Sequence, residues 1–334
     1  MANDVKKKTK RKYDRRFFIF LMLAIIFVIC AFYYYSDIEE EQQEYSSLVI
    51  FDEESSEPST NAVVDGMLQV HMIDCGQADS FLFEQNGEYG LIDCETRSTG
   101  DDVVKYLKNE GVEELHFVMG THPHDDHMGG MYDVIDNFQC DVIYMPEIET
   151  ELVTTNWYIK LMNRIKEDNI TIVNPKMDET FFLGDAVFAV VGQLTPEEAG
   201  RNVNDYSTVV KVSFGEIDLL MTGDAETEVE EKMLKAKKSA LQCEILKLGH
   251  HGSNTSTSDE FLEIVAPEYG LISCGLGNKY DHPSTETVEK LKARNIPIYR
   301  TDESGDVVVT ISSNSIAFNK EAGDYLDGKT HASN

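Results

Sequence analysis

Short apolar runs separated by polar or glycine-containing turns recur along the chain from about residue 67 onward. Their length and alternation are typical of β-strands. The predicted strands are 68–73, 80–83, 89–92, 115–119, 142–144, 170–173, 186–191, 208–214, 217–222, 244–248, 270–273 and 307–311. Helical spacing of apolar residues is found at 101–109, 226–238, 258–265 and 286–294, and a further helix is expected after Gly129-Gly130. This pattern predicts an α/β (α+β) fold of two facing sheets with helices outside.

One apolar run is different, because the segment 17–35, FFIFLMLAIIFVICAFYYY, contains no charged residue. As a helix it would be roughly 28 Å long, which is close to the thickness of the hydrocarbon core of a bilayer. A cleaved signal peptide would need small residues at its end, whereas Ala31 is followed by aromatic residues that suit a membrane interface. We therefore expect one uncleaved transmembrane helix.

The predicted helix divides the chain into segments of different composition. Residues 1–16 are basic and are expected to be a cytoplasmic tail, which leaves the catalytic part of a single-pass protein outside the cell. Residues 36–66 form an acidic, serine-rich linker. Residues 67–318 form the folded domain, and residues 319–334 are expected to be a frayed polar tail.

The charge of the chain bears on its partners. The formal net charge of the 334 residues is −31, and it becomes −37 once the net +6 of residues 1–16 is removed. Such a surface repels extended polyanions. Nucleic acid is therefore a possible substrate but not the favoured one.

Cysteine usage does not indicate a disulfide framework. Cys30 lies in the predicted membrane helix, and the other five cysteines, an odd number, have no CxxC spacing. They lie in or beside apolar strands, so we expect buried free thiols. They are Cys75, Cys94, Cys140, Cys243 and Cys274.

The candidate chemistry is concentrated in the loop after the strand 115–119. The segment THPHDDHMGG places three histidines and two aspartates within residues 122–127. Imidazole and carboxylate groups are the ligands that first-row divalent metals bind in proteins. Side chains alternate in an extended segment, so His122 and His124 share one face, while Asp126 and His127 can point to a second position. The loop can thus contribute to two metal sites.

This loop resembles the HxHxDH signature of the metallo-β-lactamase superfamily. The segments HMIDCGQADSFLF, MTGDAE, LKLGHHGSNTS, NKYDHPS and YRTDESGDVVV more narrowly resemble the C-terminal hydrolase domain of ComEC-type competence proteins. Choline-phosphate esterases that act on teichoic acid are similar in the same places. The resemblance implies a four-layer αββα sandwich with a centre of two divalent metal ions at one edge of its sheets.

The resemblance also implies the ligands. His122 and His124 would hold the first metal, and Asp126 and His127 the second. Asp224 would bridge the two metals. His250 is the expected late histidine of the second metal, although His251 beside it could exchange roles with it.

The chain departs from the superfamily in one respect, since no histidine occurs between His127 and His250. The usual middle histidine is therefore missing, and Asn204, Asp205 or water would complete the first metal site. A site richer in oxygen ligands admits Mn²⁺ as well as Zn²⁺.

The predicted mechanism is attack by a hydroxide that the metals form from water. Asp126 and His251 are the predicted catalytic residues, and His251 or His282 is the expected proton donor for the leaving group. The predicted substrate-binding residues are Ser253, Asn254, Asn278 and His282. The predicted supporting residues are Asp74, Asp79 and Asn204.

These features together predict an extracytoplasmic, membrane-anchored, metal-dependent hydrolase. A phosphodiesterase acting on a small or cell-envelope substrate is the leading hypothesis. The alternatives are a ComEC-like nuclease, a lactonase or β-lactamase that cleaves an ester or amide, and a binding module without catalysis. The sequence leaves the oligomeric state open.

Overall fold

Two β-sheets stacked face to face form the centre of the folded domain, in a computed structural model that describes residues 65–99, 101–149 and 151–333. The predicted cytoplasmic tail, the predicted membrane helix and nearly all of the predicted linker lie outside these residues. Within them, no helix is long and apolar enough to cross a bilayer.

The first sheet has eight strands in the order β15-β14-β1-β2-β3-β4-β5-β6. Its strands are β1 Leu68–Met72, β2 Phe81–Gln85, β3 Glu88–Ile92, β4 Glu114–Met119, β5 Gln139–Tyr144, β6 Thr171–Val173, β14 Val307–Ser312 and β15 Ser315–Phe318. The second sheet has seven strands in the order β13-β12-β11-β10-β9-β8-β7. Its strands are β7 Thr180–Leu183, β8 Ala186–Gly192, β9 Val209–Phe214, β10 Ile217–Met221, β11 Ile245–Lys247, β12 Tyr269–Ile272 and β13 Ile298–Arg300.

Helices connect many of these strands. They are α1 Asp101–Asn109, α2 Asp125–Met128, α3 Met131–Asn137, α4 Asn156–Glu167, α5 Pro196–Ala199, α6 Thr227–Lys237, α7 Asp259–Val265, α8 Thr285–Ala293, α9 Thr301–Ser304 and α10 Gly328–His331. Short 3-10 turns lie at Val203–Tyr206, Lys238–Ala240 and Gly249–Gly252.

The two sheets meet through apolar side chains. The ring of Phe188 lies edge-to-face against both Phe83 and Phe117, with centroids 5.2 Å apart in each pair. One outer apolar cluster joins the eight-stranded sheet to α1, α3 and α4, and another joins the seven-stranded sheet to α6, α7 and α8. The layers therefore run helix, sheet, sheet, helix, which confirms the predicted αββα sandwich.

Parallel pairing determines where the polar loops lie. Strands β3, β4, β5 and β6 run parallel in the first sheet, and β10, β11, β12 and β13 run parallel in the second. The carboxyl ends of parallel strands lie at a common edge. The loops after β4, β10 and β11 carry the polar motifs, and they meet at one end of the sandwich.

Some elements were not predicted. They include the strands β7, β13 and β15, which have three or four residues each. Helix α4 does carry a signal, because its buried residues Tyr158, Leu161 and Ile165 are spaced for one helical face. The residues between β5 and β6 form this helix and cover the outer side of the first sheet.

The residues after Phe318, which we expected to form a frayed polar tail, contact the domain. The backbone N–H of Gly323 donates to the carbonyl oxygen of Ile298 over 2.7 Å. The hydroxyl of Tyr325 donates to the carbonyl oxygen of Ile296 over 2.9 Å. These contacts involve backbone groups and one aromatic residue, so a polar composition gave no sign of them.

The five cysteines of the described domain are free and buried, as predicted. Burial raises the pKa of several of these thiols, including that of Cys243.

Candidate active site

The histidine-rich loop follows β4 and leads into α2. His124 has an extended backbone and stands directly before this helix, which begins at Asp125. The change of backbone conformation sends the two halves of the motif in different directions. His122 Nε2 lies 2.9 Å from His124 Nδ1, so these two imidazoles converge on one place. Asp126 and His127 belong to the helical turn and point to another.

Asp224 stands between these two places. Its Oδ1 is 3.2 Å from His127 Nε2, and its Oδ2 is 3.9 Å from His122 Nε2. Burial disfavours the charged form of Asp224, but His127 and His251 outweigh it and hold the pKa well below its usual range. The preceding Gly223 has a φ of +53°, and a Cβ there would lie 2.9 Å from Thr121. Glycine is therefore required to bring this carboxylate to the loop.

The adjacent histidines 250 and 251 point to different sides of Asp224. His251 Nε2 is 3.6 Å from Asp126 Oδ2 and 3.7 Å from Asp224 Oδ1. His250 Nε2 is instead 3.5 Å from Asp224 Oδ2. His250 is the predicted neighbour of Asp126 and His127, with an exchange of roles with His251 left open, and it is His251 that lies beside Asp126. Both residues have a left-handed backbone, with φ of 50° and 55°, and this uncommon conformation sets their directions.

The ligand candidates thus form two groups. We call His122, His124 and His250 the first cluster, because they lie toward Asp224 Oδ2. We call Asp126, His127 and His251 the second cluster, because they lie toward Asp224 Oδ1. The missing middle histidine of the superfamily thus has a counterpart, since the first cluster gains an imidazole from His250.

Buried charged groups support the second cluster. His127 Nδ1 lies 2.8 Å from Asp93 Oδ2, and His251 Nδ1 lies 2.9 Å from the carbonyl oxygen of Ser273 and 3.2 Å from Asp79 Oδ1. These acceptors leave Nε2 of each ring free to face inward. Burial lowers the pKa of His251, but Asp224 and Asp79 outweigh it and raise that pKa to about 10.

Lys247 lies beneath the second cluster and is fully buried. Its ammonium group forms an ion pair with Asp79 and donates to the carbonyl oxygen of Gly223 over 2.9 Å. The same nitrogen is 4.0 Å from Asp224 Oδ1. Burial disfavours the charge of Lys247, but Asp79 and Asp224 outweigh it and raise its pKa. This cation partly balances the carboxylates around it.

Hydroxyl groups and a partly buried carboxylate support the first cluster. His122 Nδ1 lies 3.3 Å from the hydroxyl of Ser207. His250 Nδ1 lies 3.2 Å from Glu226 Oε1, which also accepts from the hydroxyl of Thr255 over 2.8 Å and from Asn204 Nδ2 over 3.1 Å. The hydrogen bond from His250 is the main cause that lowers the pKa of Glu226 to about 2. Asn204 thus supports this cluster through Glu226.

The predicted substrate-binding residues divide into two kinds. The hydroxyl of Ser253 is paired within its own turn, with Thr255. Asn278 holds its loop together, because its Oδ1 accepts from the backbone N–H groups of Tyr280 and His282. His282 lines the cavity at the site, and Asn254 lines the neighbouring cavity.

Asp74 does not support the site in the predicted way. Its side chain is exposed, and its Oδ1 accepts from the N–H of Gly76. Its backbone N–H donates to Asp306 Oδ1 over 2.8 Å. Asp79 lies where a supporting residue is predicted, because it is buried and its Oδ1 is 3.2 Å from His251 Nδ1.

The donor set fits divalent metal ions. His127 Nε2, His251 Nε2 and Asp224 Oδ1 are buried and have no hydrogen-bond partner. Leaving such groups unpaired is costly unless a ligand satisfies them. One set of ligand atoms spans the two clusters, because those of His122, His127 and Asp224 lie within 4.8 Å of one another. Asp126, His127 and His251 do the same.

A polar cavity of about 270 Å³ opens above these groups. Its walls include Gln77, Asp126, Asn204, Tyr280 and His282. Burial is the main cause that lowers the pKa of His282 to about 4, with help from His250 and His251.

Three supporting residues were missed at the level of sequence. Lys247 did carry a signal, because a charged residue inside the apolar run 245–248 requires a buried partner. Asp93 follows β3 as Asp224 follows β10, so its place at a strand end was a weaker signal. Glu226 stands among other acidic residues, and its composition gave no indication.

Comparison with known proteins identifies the family of the chain. The family model of the metallo-beta-lactamase superfamily matches residues 73–276. ComE operon protein 3 of Bacillus subtilis (strain 168) is 26% identical over 257 residues, which cover 72% of this chain and 32% of that protein. Competence protein ComA of Neisseria gonorrhoeae is 31% identical over 247 residues, which cover 73% and 32%. The chain therefore spans about a third of the length of these curated relatives.

The solved structure of CmlA, a diiron β-hydroxylase from Streptomyces venezuelae, is 14% identical. Its match covers 73% of this chain and 54% of that one, with a TM-score of 0.47. The family match and the relatives confirm the resemblance found in the sequence, and the fold supports a metal-dependent hydrolase. This chain belongs to the metallo-beta-lactamase superfamily.

Proposed function

We propose that this chain is a phosphodiesterase that depends on two divalent metal ions. The position of Asp224 carries the proposal, because each of its carboxylate oxygens faces a different group of ligand atoms. Asp224 Oδ1 is buried without a hydrogen-bond partner, as are His127 Nε2 and His251 Nε2 on the same side. A bridging carboxylate between two clusters is the arrangement that a two-metal centre requires.

Each cluster would hold one ion. His122, His124 and His250 would hold the first ion with Asp224 Oδ2, and three imidazoles suit Zn²⁺. Asp126, His127 and His251 would hold the second ion with Asp224 Oδ1. Two carboxylates and two imidazoles also admit Mn²⁺ there.

Two such cations would lower the pKa of water and neutralise charge on phosphate oxygens during an in-line displacement. The chain's own residues position the reaction. Asp224 lies between the two clusters and fixes their spacing, and Asp126 faces His251 within the second cluster. Lys247 and Asp79 hold His251 from below. His282 lies at the cavity and offers an imidazole nitrogen for a hydrogen bond to the substrate.

The walls of the cavity favour a phosphodiester over an acyl substrate. A cavity of about 270 Å³ lined by amide, carboxylate, imidazole and phenol groups suits a small polar substrate. Sites for apolar acyl groups are lined mainly by hydrophobic side chains. Lactones and β-lactams are therefore less suitable, and a single-stranded polynucleotide must overcome the acidic surface.

The proposal includes the location of the enzyme. The uncharged segment 17–35 and the basic residues before it support a single membrane anchor with the catalytic domain outside the cell. Proteolysis of intact cells tests this part separately. Removal of the domain is the expected result, and a protected domain would refute the orientation.

The function is tested with the full chain in detergent, loaded separately with Zn²⁺ and with Mn²⁺. Bis(p-nitrophenyl) phosphate, single-stranded DNA and a β-lactam are the substrates. We expect hydrolysis of the small diester, its loss in His122→Ala, and its retention in His116→Ala, which removes a histidine of β4 outside both clusters. Faster cleavage of DNA or of the β-lactam would reject the phosphodiester assignment. Full activity in His122→Ala would reject the metal centre.

A further inference from the structure

The last part of the described chain, Gly323–Ser333, runs along the end of the second sheet toward the candidate active site. The carbonyl oxygen of Leu326 accepts a hydrogen bond from the fully buried guanidinium of Arg300. Arg300 also pairs with Asp302 over 2.7 Å. A buried arginine that binds backbone here fixes the path of this C-terminal segment.

The C-terminal segment then contacts the loop that carries His282. The N–H of Gly328 donates to the carbonyl oxygen of Pro283 over 2.9 Å. A Cβ on Gly328 would lie 2.1 Å from the carbonyl oxygen of His282, so the two backbones are in close contact. Asp327 Oδ2 accepts from the hydroxyl of Thr285 over 2.8 Å, which ties the segment to the start of α8.

These contacts border a second cavity, of about 370 Å³, which is open to solvent and lies beside the one above the two clusters. Tyr280 and His282 line both cavities. The residue His282 is only 9% exposed, and its Nδ1 is buried without a hydrogen-bond partner. A nearly buried imidazole with an unsatisfied nitrogen, on a wall common to both cavities, indicates that a ligand group belongs there.

The side chains that line the second cavity indicate which chemical group can bind in it. Three acidic residues and one basic residue line it, namely Asp281, Glu286, Asp327 and Lys329, which gives an excess of two negative charges. The other walls carry hydroxyl and amide groups, from residues that include Asn254, Ser284 and Thr330. Carboxylate, hydroxyl and amide groups hydrogen-bond well to alcohol groups. A second phosphate would be repelled.

We propose that this second cavity binds one organic group of the phosphodiester, and that this group is an uncharged polyol. The C-terminal segment would then determine specificity by building one wall. This inference rests on the proposed phosphodiesterase function. It narrows the substrate class to phosphodiesters of an uncharged alcohol with several hydroxyl groups. Polymers with a phosphate in every repeating unit are disfavoured as substrates.

Three diesters with the same chromogenic group test the proposal on the metal-loaded full chain. They are glyceryl p-nitrophenyl phosphate, the same compound with a second phosphate on the glycerol, and methyl p-nitrophenyl phosphate. We expect kcat/KM for the glyceryl diester to exceed that of each of the others by about tenfold or more. Equal values for the glyceryl and phosphoglyceryl diesters would overturn the proposal.

Reversing one charge among the residues that line the second cavity gives a second test. Glu286→Lys, at an exposed position, should raise kcat/KM for the phosphoglyceryl diester about tenfold relative to the glyceryl diester. Glu289→Lys makes the same change at an exposed position of α8 that does not line the cavity, and it should leave this ratio within twofold. Equal ratios in the two variants would overturn the proposal.

The two proposals fail in different ways. A metal-loaded chain that hydrolyses none of the three diesters would refute the phosphodiesterase function, and this assignment with it. A chain that hydrolyses all three at similar kcat/KM would leave the phosphodiesterase function standing and refute the polyol site alone.

Discussion

The two clusters on either side of Asp224 differ in the groups that hold their histidines from behind. In the second cluster, the outer nitrogens of His127 and His251 face Asp93 and Asp79, whose side chains are each 1% exposed. In the first cluster, the outer nitrogen of His250 faces Glu226, which is 16% exposed. His250 itself is 24% exposed.

This difference in burial indicates how easily the ligand residues of each cluster can move. Charge interactions are stronger in the buried interior than near water, so Asp93, Asp79 and Lys247 fix the second cluster rigidly. Water competes for Glu226 and His250, so the first cluster is easier to rearrange. We therefore expect the first ion to exchange more readily than the second.

The largest effect is expected at the residue that the two clusters share. Asp224→Ala removes a ligand from both sides, and loss of several kcal/mol of charge stabilisation should lower kcat/KM about a thousandfold or more. Metal analysis after dialysis should find less of both ions. Asp141→Ala, at an exposed position on β5, is the matched control. A variant of Asp224 that still binds two ions would contradict the bridging role.

Lys247→Met tests the buried support of the second cluster. The substitution leaves Asp79 without its cation in the interior, and breaking a buried pair in this way costs about 3 to 5 kcal/mol in the free energy of unfolding. Urea denaturation measures this loss. Lys235→Met, which removes an exposed lysine paired with Glu231, should change the free energy of unfolding by less than about 0.5 kcal/mol. Equal effects of the two substitutions would show that Lys247 has no special role.

Glu226→Gln tests the more exposed support of the first cluster. Loss of a carboxylate behind a ligating histidine weakens metal binding about 10- to 100-fold. A titration of the metal-loaded chain with a competing chelator should show two phases of metal release, one for each ion. Only the phase of the more weakly bound ion should shift, to a lower chelator concentration. Asp93→Asn should move the tighter phase instead. A shift of both phases in either variant would mean that the two clusters do not bind their ions independently.

The smallest effect concerns Glu95, which is buried near the second cluster and whose N–H donates to the carbonyl oxygen of Asp79. Burial raises the pKa of Glu95 to about 7, although the N–H of Val103 partly opposes the shift. The folded chain therefore keeps this proton between about pH 4.5 and 7, where the unfolded chain has lost it. This group makes stability fall as pH rises through that window.

Glu95→Gln should remove this dependence. The variant should gain about 1 to 2 kcal/mol over the natural chain at pH 7.5, and the gain should vanish near pH 4.5. Thermal unfolding at the two pH values measures it. A constant difference between the two chains would mean that Glu95 is ionised throughout.

The sequence predicted the sandwich and the two halves of the His122–His127 motif, because apolar alternation and dense metal-binding side chains are local signals. It also predicted Asp224 at the end of its strand. It could not assign His250 and His251, since their directions depend on two consecutive left-handed backbone conformations that have no signal in composition. The C-terminal segment was missed because it binds mainly through backbone groups.

The ligands of the candidate metal centre come from both sheets. His122 and His127 follow β4 of the eight-stranded sheet, whereas Asp224 and His251 follow β10 and β11 of the seven-stranded sheet. Ions bound by all four residues would cross-link the two sheets. Catalytic competence and mechanical strength would then rise and fall together, and a chain stripped of its ions would be the one in which the two sheets separate most easily.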